Sequence, residues 1–300
     1  MAVKVVVIGS NGLLGQTLVN KLYNNKAYKL YAMASGENRN SKATELSYFE
    51  IDITDFSSIK LQLSLIAPNF IINALAMTNV DACEVEKNHC DAINVHFVKE
   101  LAINSKELRA RFIHISTDFI FDGEKGNFYN EIDTPNPVNY YGLSKLRAEK
   151  VVCENATDFT ILRTILVYGK VANMKRSNLV LWVKKSLENR ESIRVINDQY
   201  RMPTYVGNLA NACILAIQKN ATGIYHISDK EYLSIYEIAQ QIADFYNLPK
   251  ELIQPISTLE LGQKAKRPPK TGFVLDKALK ELGYNPLSFI DGLTLFHANL

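Results

Sequence analysis

The sequence predicts an α/β protein built on a Rossmann-like, doubly wound parallel sheet, with a smaller C-terminal substrate-binding lobe interleaved with it. The chain opens on an apolar run, Val3–Ile8, that lacks polar alternation and is typical of a strand buried on both faces. A glycine-rich turn and a helical pattern follow it directly. Further short apolar runs then alternate with helical patterns to about residue 163, which is the order expected of successive βαβ units.

The turn after the first strand has the spacing Gly9-x-x-Gly12-x-x-Gly15, and an apolar helix face begins at Leu14. The N-terminus of such a helix offers N–H groups and a positive dipole end to a phosphate. Gly9 permits the tight turn, Gly12 allows backbone to approach a pyrophosphate, and Gly15 allows the helix to pack on the strand. The residues that we expect to contact a dinucleotide here are Gly9, Asn11, Gly12, Leu13, Leu14 and Gly15.

The second strand, Tyr28–Ala34, lacks the acidic residue with which NAD enzymes hold the ribose hydroxyls. Ser35 and Arg39 follow it and suit a 2′-phosphate, although a solvated loop is an equal alternative. We therefore expect NADP(H) as the preferred cofactor, with NAD(H) possible. A third, short strand is predicted to end at Asp52 and Ile53, where the Asp52 carboxylate is placed to accept a bond from the adenine amino group.

A fourth strand, Phe70–Asn73, ends in small residues, Ala74 and Ala76, which would let the cofactor lie against its carboxyl end together with Asn73. A long helical pattern covers residues 86–108, and Asn94 lies one position off its apolar stripe. Asparagine is unfavourable in the middle of a helix, so Asn94 is either exposed or bonded within the site.

The fifth strand, residues 112–115, contains His114 and leads to Thr117. A histidine inside a buried strand favours a hydrogen-bonded core residue over a catalyst. Thr117 lies one step past the carboxyl end, where open α/β sheets bind their ligands. A long loop over residues 119–139 follows, and loops of this length are usually functional.

A helix predicted from about Asn139 to Cys153 places Tyr141 and Lys145 one turn apart on one face. A nearby ammonium favours a phenolate, so we expect the pKa of Tyr141 to lie closer to neutrality than that of a free phenol. A phenol tuned in this way protonates a carbonyl oxygen as hydride arrives. Tyr246 also precedes a lysine by four residues, but Pro249 between them disfavours a helix there.

Together these motifs resemble the extended short-chain dehydrogenase/reductases, and within them the dTDP-4-dehydrorhamnose reductase family. The likeness covers nearly the whole chain and includes Val80-Asp81-x-x-Glu84, Asn94-Val95, Ser116-Thr117-Asp118, Asp198-Gln199-x-x-x-Pro203-Thr204 and Lys266-Arg267-Pro268. The resemblance implies a catalytic trio of Thr117, Tyr141 and Lys145, in which Tyr141 protonates a C4 ketone and Lys145 also holds the nicotinamide ribose. It further implies substrate contacts by Asp118, Phe119, Arg201 and Arg267. The family commonly has a glycine after Asp-Gln, where this chain has Tyr200, so the sugar stays open.

The second half of the chain alternates less regularly. It predicts helices over residues 177–187 and 206–217, a strand over 193–196, and a capping box at Ser234 that opens a helix through about Tyr246. We therefore divide the chain into residues 1–163, a dinucleotide-binding domain with the catalytic helix, and residues 164–300, mainly a substrate-binding lobe with some elements returning to the sheet.

Composition excludes several classes of protein. With 34 basic and 31 acidic residues, no net field favours nucleic acid or an anionic membrane. The initial apolar run is too short for a signal peptide, and no stretch reaches the roughly eighteen apolar residues of a membrane span. The 4 cysteines form no C-x-x-C pair, which predicts reduced thiols, a cytoplasmic protein and no metal site.

The resulting expectation is an NADPH-dependent reductase of a nucleotide-linked 4-keto sugar, acting as a homo-oligomer, most simply a dimer. A nucleotide-sugar epimerase or dehydratase would use the same three residues but recycle a bound NAD. A non-catalytic NADP-binding regulatory subunit is a second alternative, since regulatory proteins of this likeness exist.

Overall fold

The computed structural model of the protein describes residues 2–41, 43, 46–174 and 176–299. Its strands are β1 (Val3–Ile8), β2 (Tyr28–Ala34), β3 (Ser47–Glu50), β4 (Phe70–Asn73), β5 (Arg111–Thr117), β6 (Phe159–Thr164), β7 (Val167–Tyr168), β8 (Ile193–Ile196), β9 (Tyr200–Arg201), β10 (Thr204–Tyr205), β11 (Gly223–Ile227), β12 (Leu233–Ser234) and β13 (Ile253–Ile256).

The α-helices are α1 (Leu13–Leu22), α2 (Phe56–Ile66), α3 (Val80–Val85), α4 (Lys87–Asp91), α5 (Phe97–Glu107), α6 (Tyr140–Asn155), α7 (Leu179–Glu188), α8 (Val206–Gln218), α9 (Ile235–Tyr246), α10 (Thr258–Leu261) and α11 (Phe289–His297). Short 3₁₀ turns cover Asp118–Ile120 and Lys250–Leu252, and π-helical turns cover Ala92–His96 and Ala278–Leu282.

The main sheet confirms the predicted fold class. Its strand order is β3-β2-β1-β4-β5-β6-β11, and each neighbouring pair is parallel. The order reverses direction between β1 and β4, so the carboxyl ends of these two strands form the crevice at which open α/β sheets bind ligands. Helices α1 and α8 cover one face of the sheet, and α2, α5 and α6 cover the other.

The unbroken apolar run of β1 follows from this double cover. Val5 and Val7 pack into the core under α1 and α8, whereas Val6 and Ile8 pack into the core under α2 and α5. All four side chains are fully buried. A strand with two buried faces has no polar side to alternate with, which explains why the sequence of β1 shows no period of two.

The predicted helix over residues 86–108 is interrupted in the structure. It divides into α4, the π-helical turn Ala92–His96 and α5. Asn94 lies in the π-helical turn with its side chain buried, and its amide bonds both the N–H and the carbonyl of Met77. Of the two alternatives for Asn94, the buried and bonded one is therefore correct.

Two strand ends differ from prediction. β3 ends at Glu50, before Asp52, because the Asp52 carboxylate instead accepts bonds from the N–H and hydroxyl of Thr54 and forms a local turn. The sequence predicts a strand over Phe159–Leu162 with Arg163 at its end, but β6 continues to Thr164 and Arg163 lies inside it. A buried arginine is tolerated there because Glu149 of α6 binds the guanidinium, with Arg163 Nη2 at 2.7 Å from Glu149 Oε2.

The second half of the chain builds a separate core from α7, α9 and α11, with the pair β8 and β13 beside it. β8, α8 and the capping box at Ser234 lie where the sequence predicts them, and α7 begins two residues later than predicted, at Leu179. α8 and β11 return to the main sheet, α8 against its face and β11 at its edge. None of the helices in the described ranges has the length and apolar character required to cross a membrane.

The buried ion pair between Arg163 and Glu149 supplies a stability prediction. Both side chains are at most 5% exposed, so Arg163→Met leaves a carboxylate buried beside Ser116 with its countercharge removed. We expect the free energy of unfolding in urea to fall by about 3–5 kcal/mol. Lys60→Met is the control, because Lys60 and Glu107 form an ion pair that is about half exposed, and its loss should cost less than about 1 kcal/mol. Equal losses in the two variants would contradict the prediction.

Candidate active site

The glycines of the first turn lie where backbone segments meet. Gly9 has φ of +79°, and a Cβ there would lie 2.7 Å from the backbone nitrogen of Leu75. A Cβ on Gly15 would lie 2.2 Å from the carbonyl oxygen of Gly9. Both positions therefore require glycine, whereas Gly12 is exposed and has only the Gly9 carbonyl near it, at 3.3 Å.

The N-terminus of α1 fits a phosphate. Gly12 is its N-cap and provides no side-chain bond to the first turn, which also contains no acidic residue. The N–H groups of Leu13 and Leu14 are the first of the helix and lie at its positive end. This turn therefore has the donors and the open backbone that a pyrophosphate requires, and it fits the predicted dinucleotide.

Asn11 organises the loop after β2. Its side-chain nitrogen donates to the carbonyl oxygens of Ser35 and Glu37, and its oxygen accepts from the N–H of Arg39 at 2.9 Å. Ser35 donates its hydroxyl to the carbonyl of Ile51. Within the described ranges, no hydrogen bond is found for the Arg39 guanidinium. The arrangement brings Arg39 beside the glycine turn, and its contact with a 2′-phosphate stays a prediction.

The other predicted cofactor residues lie along the same edge. Ala74 N–H donates to the carbonyl of Ile8, and Ala74 and Ala76 are half-buried just beyond β4. Asp52 is exposed beyond β3 and Ile53 is half-buried beside it. The hydrogen bonds from Thr54 lower the pKa of the Asp52 carboxyl, so it is an acceptor at neutral pH.

Thr117, Tyr141 and Lys145 come together at the carboxyl end of β5. Thr117 is the last residue of that strand; its hydroxyl donates to the Asp118 carboxylate at 3.0 Å and lies close enough to the Tyr141 phenol to lower the pKa of that phenol. The Tyr141 ring packs edge-on against Phe119, with ring centroids 5.8 Å apart. Lys145, one turn further along α6, is 2% exposed and donates to the carbonyl of Ile115 at 2.7 Å.

The expected lowering of the Tyr141 pKa is wrong for this structure. Burial raises the pKa of Tyr141 above its ordinary value, and the neighbouring Thr117 hydroxyl opposes this only in part. The Lys145 amine is directed to Ile115 and His114 on β5. Burial also lowers the pKa of Lys145 to about 8, which leaves it mainly an ammonium at neutral pH, but its charge is directed to β5 and not to the Tyr141 phenol.

His114 is a hydrogen-bonded core residue, as predicted, but it also contacts the candidate site. It is fully buried in β5, with its Nδ1 3.3 Å from Asn73 Nδ2 and its Nε2 3.1 Å from Lys145 Nζ. The sequence gives no sign of this contact, because His114 and Lys145 lie in a strand and a helix whose packing only the fold defines.

Two residues that position the catalytic helix were missed from the sequence. A Cβ on Gly142 would lie 2.0 Å from the carbonyl oxygen of Phe119, so glycine lets the start of α6 pack closely against the turn after β5. The Glu84 carboxylate accepts the N–H of Tyr140, the first residue of α6, at 2.7 Å. A glycine directly after Tyr141, in the first turn of a helix, was an available signal for Gly142.

Asp118, Phe119 and Arg201, which were predicted to contact substrate, lie together, with Asp118 and Arg201 buried and Phe119 half-buried. Arg201 Nε lies 3.7 Å from Asp118 Oδ2, and the guanidinium carbon lies 5.6 Å from the centre of the Phe119 ring. Thr271 also donates to the Asp118 carboxylate. Burial raises the pKa of Asp118, and Arg201 opposes that rise. Arg201 and Asp118 are 3% and 2% exposed, so their charges neutralise each other within the protein.

Arg267 belongs to a segment, residues 264–271, that we call the basic strap. Its guanidinium forms a bidentate ion pair with Asp81 of α3, with Arg267 Nη2 2.7 Å from Asp81 Oδ2. This bond is the main cause of a lowered pKa at Asp81. Asn139, the N-cap of α6, donates to the carbonyl of Lys266. A hydrogen bond therefore connects the basic strap to the start of the catalytic helix, and an ion pair connects it to α3.

The 4 cysteines have free thiols. Within the described residues, no group of three or more His, Cys, Asp or Glu side chains is arranged to hold a metal ion.

This sheet order, the glycine turn and the Thr117, Tyr141 and Lys145 site define an extended short-chain dehydrogenase/reductase fold. Residues 3–300 match the family described as RmlD substrate binding domain, and the chain belongs to that family.

Three known proteins illustrate the likeness. A dTDP-4-dehydrorhamnose reductase of Aggregatibacter actinomycetemcomitans is 30% identical over 296 residues, which cover 94% of each chain. A methionine adenosyltransferase 2 subunit beta of Danio rerio is 30% identical, covering 88% of this chain and 80% of that protein. The crystal structure of a dTDP-4-dehydrorhamnose reductase from Bacillus anthracis in complex with NADP superposes with a TM-score of 0.88, at 31% identity, over all of both chains.

The position of Arg39 generates a test of cofactor choice. Arg39→Ala should weaken NADPH binding by about 1–3 kcal/mol, because only NADPH carries the 2′-phosphate that a guanidinium matches. NADH binding should stay nearly unchanged. Isothermal titration calorimetry of Arg39→Ala measures the change in binding free energy for each cofactor, and NADH is the control for NADPH. Equal weakening of NADPH and NADH binding would show that Arg39 acts through the conformation of the loop after β2.

Proposed function

We propose that this protein is an NADPH-dependent reductase of a nucleotide-linked 4-keto sugar. The observation that carries the proposal is the meeting of Thr117, Tyr141 and Lys145 at the carboxyl end of β5, beside a glycine turn that fits a pyrophosphate. Family membership and the reductases among its relatives, one of them solved with NADP, support the same chemistry. NADP(H) is the cofactor that this proposal prefers, and NAD(H) is a weaker alternative.

The roles of the residues follow from their positions. When bound, NADPH supplies the hydride that reduces the ketone carbon. Tyr141 gives its phenolic proton to the ketone oxygen, so the C=O group becomes an alcohol. A raised pKa keeps Tyr141 protonated and ready to donate at neutral pH. Thr117 lies beside the phenol and would orient it, and Lys145 lies one turn away to hold the ribose of the nicotinamide.

The cofactor would lie along the edge already described. Gly9, Gly12 and Gly15 would face its pyrophosphate, and the small residues Ala74 and Ala76 would leave room beside β4. The polar residues proposed to contact it are Asn11, Ser35, Arg39, Asp52, Asn73 and Asn94. Of these, Asn73 and Asn94 are buried and already bonded within the protein, which favours an indirect role for them.

The same three residues also serve an epimerase or dehydratase, which would return its hydride to the substrate. Absorbance at 340 nm separates the two classes, because a reductase consumes added NADPH in proportion to product. The relative named methionine adenosyltransferase 2 subunit beta shows that proteins of this likeness include a subunit of another enzyme. The assembled Thr117, Tyr141 and Lys145 site favours the reductase over a regulatory subunit.

Three predictions from the sequence remain as proposals: the division of the chain into two parts, the cellular location and the oligomeric state. We propose that residues 1–163 bind the dinucleotide and that residues 164–300 mainly bind the sugar nucleotide, with α8 and β11 serving the main sheet. We also propose a cytoplasmic location, which reduced thiols suit, and a homodimer. Size-exclusion chromatography with light scattering tests the oligomeric state.

Replacing Tyr141 with Phe tests the proton donor. The variant keeps the ring that packs on Phe119 and removes only the hydroxyl, so NADPH should still bind. Turnover of a nucleotide-linked 4-keto sugar should fall by about 10²–10⁴-fold. Tyr140→Phe is the matched control on the same helix, because the Tyr140 hydroxyl is bonded to Asp91 away from Thr117. Near-parental turnover in Tyr141→Phe would refute its role.

Arg267 is proposed to bind the diphosphate of the nucleotide sugar, and its ion pair with Asp81 allows a sharper test of that contact. Arg267→Ala should raise KM for the nucleotide sugar by about tenfold or more and leave the Kd of NADPH unchanged, if the guanidinium binds the diphosphate. Asp81→Asn frees the guanidinium while its amide oxygen still accepts the N–H of Ala265. KM should then change little. Equal increases in KM for both variants would show that Arg267 only fastens the basic strap.

A further inference from the structure

The loop that follows β2 turns three successive carbonyl groups towards two side chains. Asn11 of the glycine turn donates to the carbonyls of Ser35 and Glu37. The hydroxyl of Tyr48, in the neighbouring strand β3, donates to the carbonyl between them, that of Gly36. The nitrogen of Asn11 lies 3.1 Å from the oxygen of Tyr48, so the two donors stand side by side. The conformation of this loop therefore depends on a tyrosine that belongs to another strand.

The Tyr48 hydroxyl has one proton, and its surroundings decide where that proton goes. Its oxygen lies 3.2 Å from the carbonyl oxygen of Ala34 and closer to that of Gly36. The Ala34 carbonyl already accepts the N–H of Ile51 at 3.0 Å. Burial raises the pKa of Tyr48, so the phenol keeps its proton at neutral pH. Tyr48 is therefore the donor to Gly36.

Gly36 is the point at which this loop can change conformation. Its φ is +69°, which glycine adopts without strain, and a Cβ there would meet no atom within 4 Å. Among the residues that the structure describes, the peptide group joining Gly36 to Glu37 makes no hydrogen bond other than the one from Tyr48. Since packing does not hold this peptide group, the Tyr48 hydroxyl is what fixes its orientation.

Arg39 is held by the same set of contacts. Its N–H donates to Oδ1 of Asn11 at 2.9 Å, and the amide of Asn11 is in turn held beside the Tyr48 hydroxyl. The charge of Arg39 is among the influences that oppose the rise of the Tyr48 pKa caused by burial, which places the guanidinium in the neighbourhood of the phenol. A change at the Tyr48 hydroxyl should therefore reach Arg39 through Asn11 and through the peptide after Gly36.

We propose that Tyr48 is a positioning residue for cofactor choice: by holding the Gly36 carbonyl and the Asn11 amide, it keeps the loop after β2 in the conformation that places Arg39 to bind the 2′-phosphate of NADPH. This role rests on the proposed function, because a dinucleotide must bind at this edge of the sheet. Tyr48 itself packs half-buried against the core under α1 and α8, and it acts through the loop.

Calorimetric titration of the protein without substrate tests this role. Tyr48→Phe keeps the ring and removes only the hydroxyl, so the Kd of NADPH should rise about three- to tenfold, whereas that of NADH should change by less than about twofold. Tyr31→Phe is the matched control, because Tyr31 lies on the neighbouring strand β2 and packs on the opposite face of the sheet. An unchanged Kd of NADPH, or equal losses for both cofactors, would overturn the proposal.

The double variant separates positioning of Arg39 from support of the fold. If Tyr48 acts through Arg39, adding Tyr48→Phe to Arg39→Ala should change the Kd of NADPH by less than about twofold. Losses that multiply would show that the two residues act independently, which contradicts the proposal. A merely structural role would lower thermal stability and weaken both cofactors alike, leaving the ratio of the two Kd values in place.

The parental protein separates this role from the proposed function. If it binds NADPH no better than NADH, the proposed preference for NADP(H) fails and the role of Tyr48 fails with it. If it prefers NADPH but reduces no nucleotide-linked 4-keto sugar, the proposed reductase activity fails, whereas a selective loss of NADPH binding in Tyr48→Phe still supports the role of Tyr48.

Discussion

Close contact between backbones at the carboxyl edge of the sheet is the constraint on which the rest of the structure depends. Gly9 meets the chain after β4, Gly15 meets Gly9, and Gly142 meets the chain after β5, each at distances that exclude a Cβ. These contacts set α1 and α6 against the strand ends. A phosphate-binding helix start and a tyrosine donor thereby face the same crevice, and neither would reach it if the helices stood farther from the sheet.

A second requirement is that the charges buried behind this edge are matched. Arg163 is bound by Glu149, and Arg201 by Asp118, in each case with both partners nearly inaccessible to water. Replacing such a pair with apolar residues often costs little, whereas removing one partner is strongly unfavourable. The pairs therefore fix which elements meet: Glu149 ties α6 to β6, and Arg201 ties the turn after β5 to the lobe that carries β9.

The sequence predicted the main sheet well because its signals are local. The apolar run of β1, the glycine spacing and the capping box at Ser234 each depend on residues close together in the chain. The protonation of Tyr141 and the surroundings of Arg201 depend on burial and on partners far along the chain, which spacing does not reveal. A lysine four residues away lowers a phenol pKa only if both side chains face each other, and here Lys145 is directed to β5.

The two acidic residues of α3 show how the lobe and the catalytic helix are connected. Asp81 and Glu84, three residues apart on one helix face, bind Arg267 of the basic strap and the first N–H of α6. Asn139 adds a direct bond from the start of α6 to the strap. Because a carboxylate at a helix N-terminus is also favoured by the helix dipole, Glu84 stabilises the helix that carries Tyr141. A displacement of the strap by a bound substrate would therefore act on that helix through a path of only two or three hydrogen bonds.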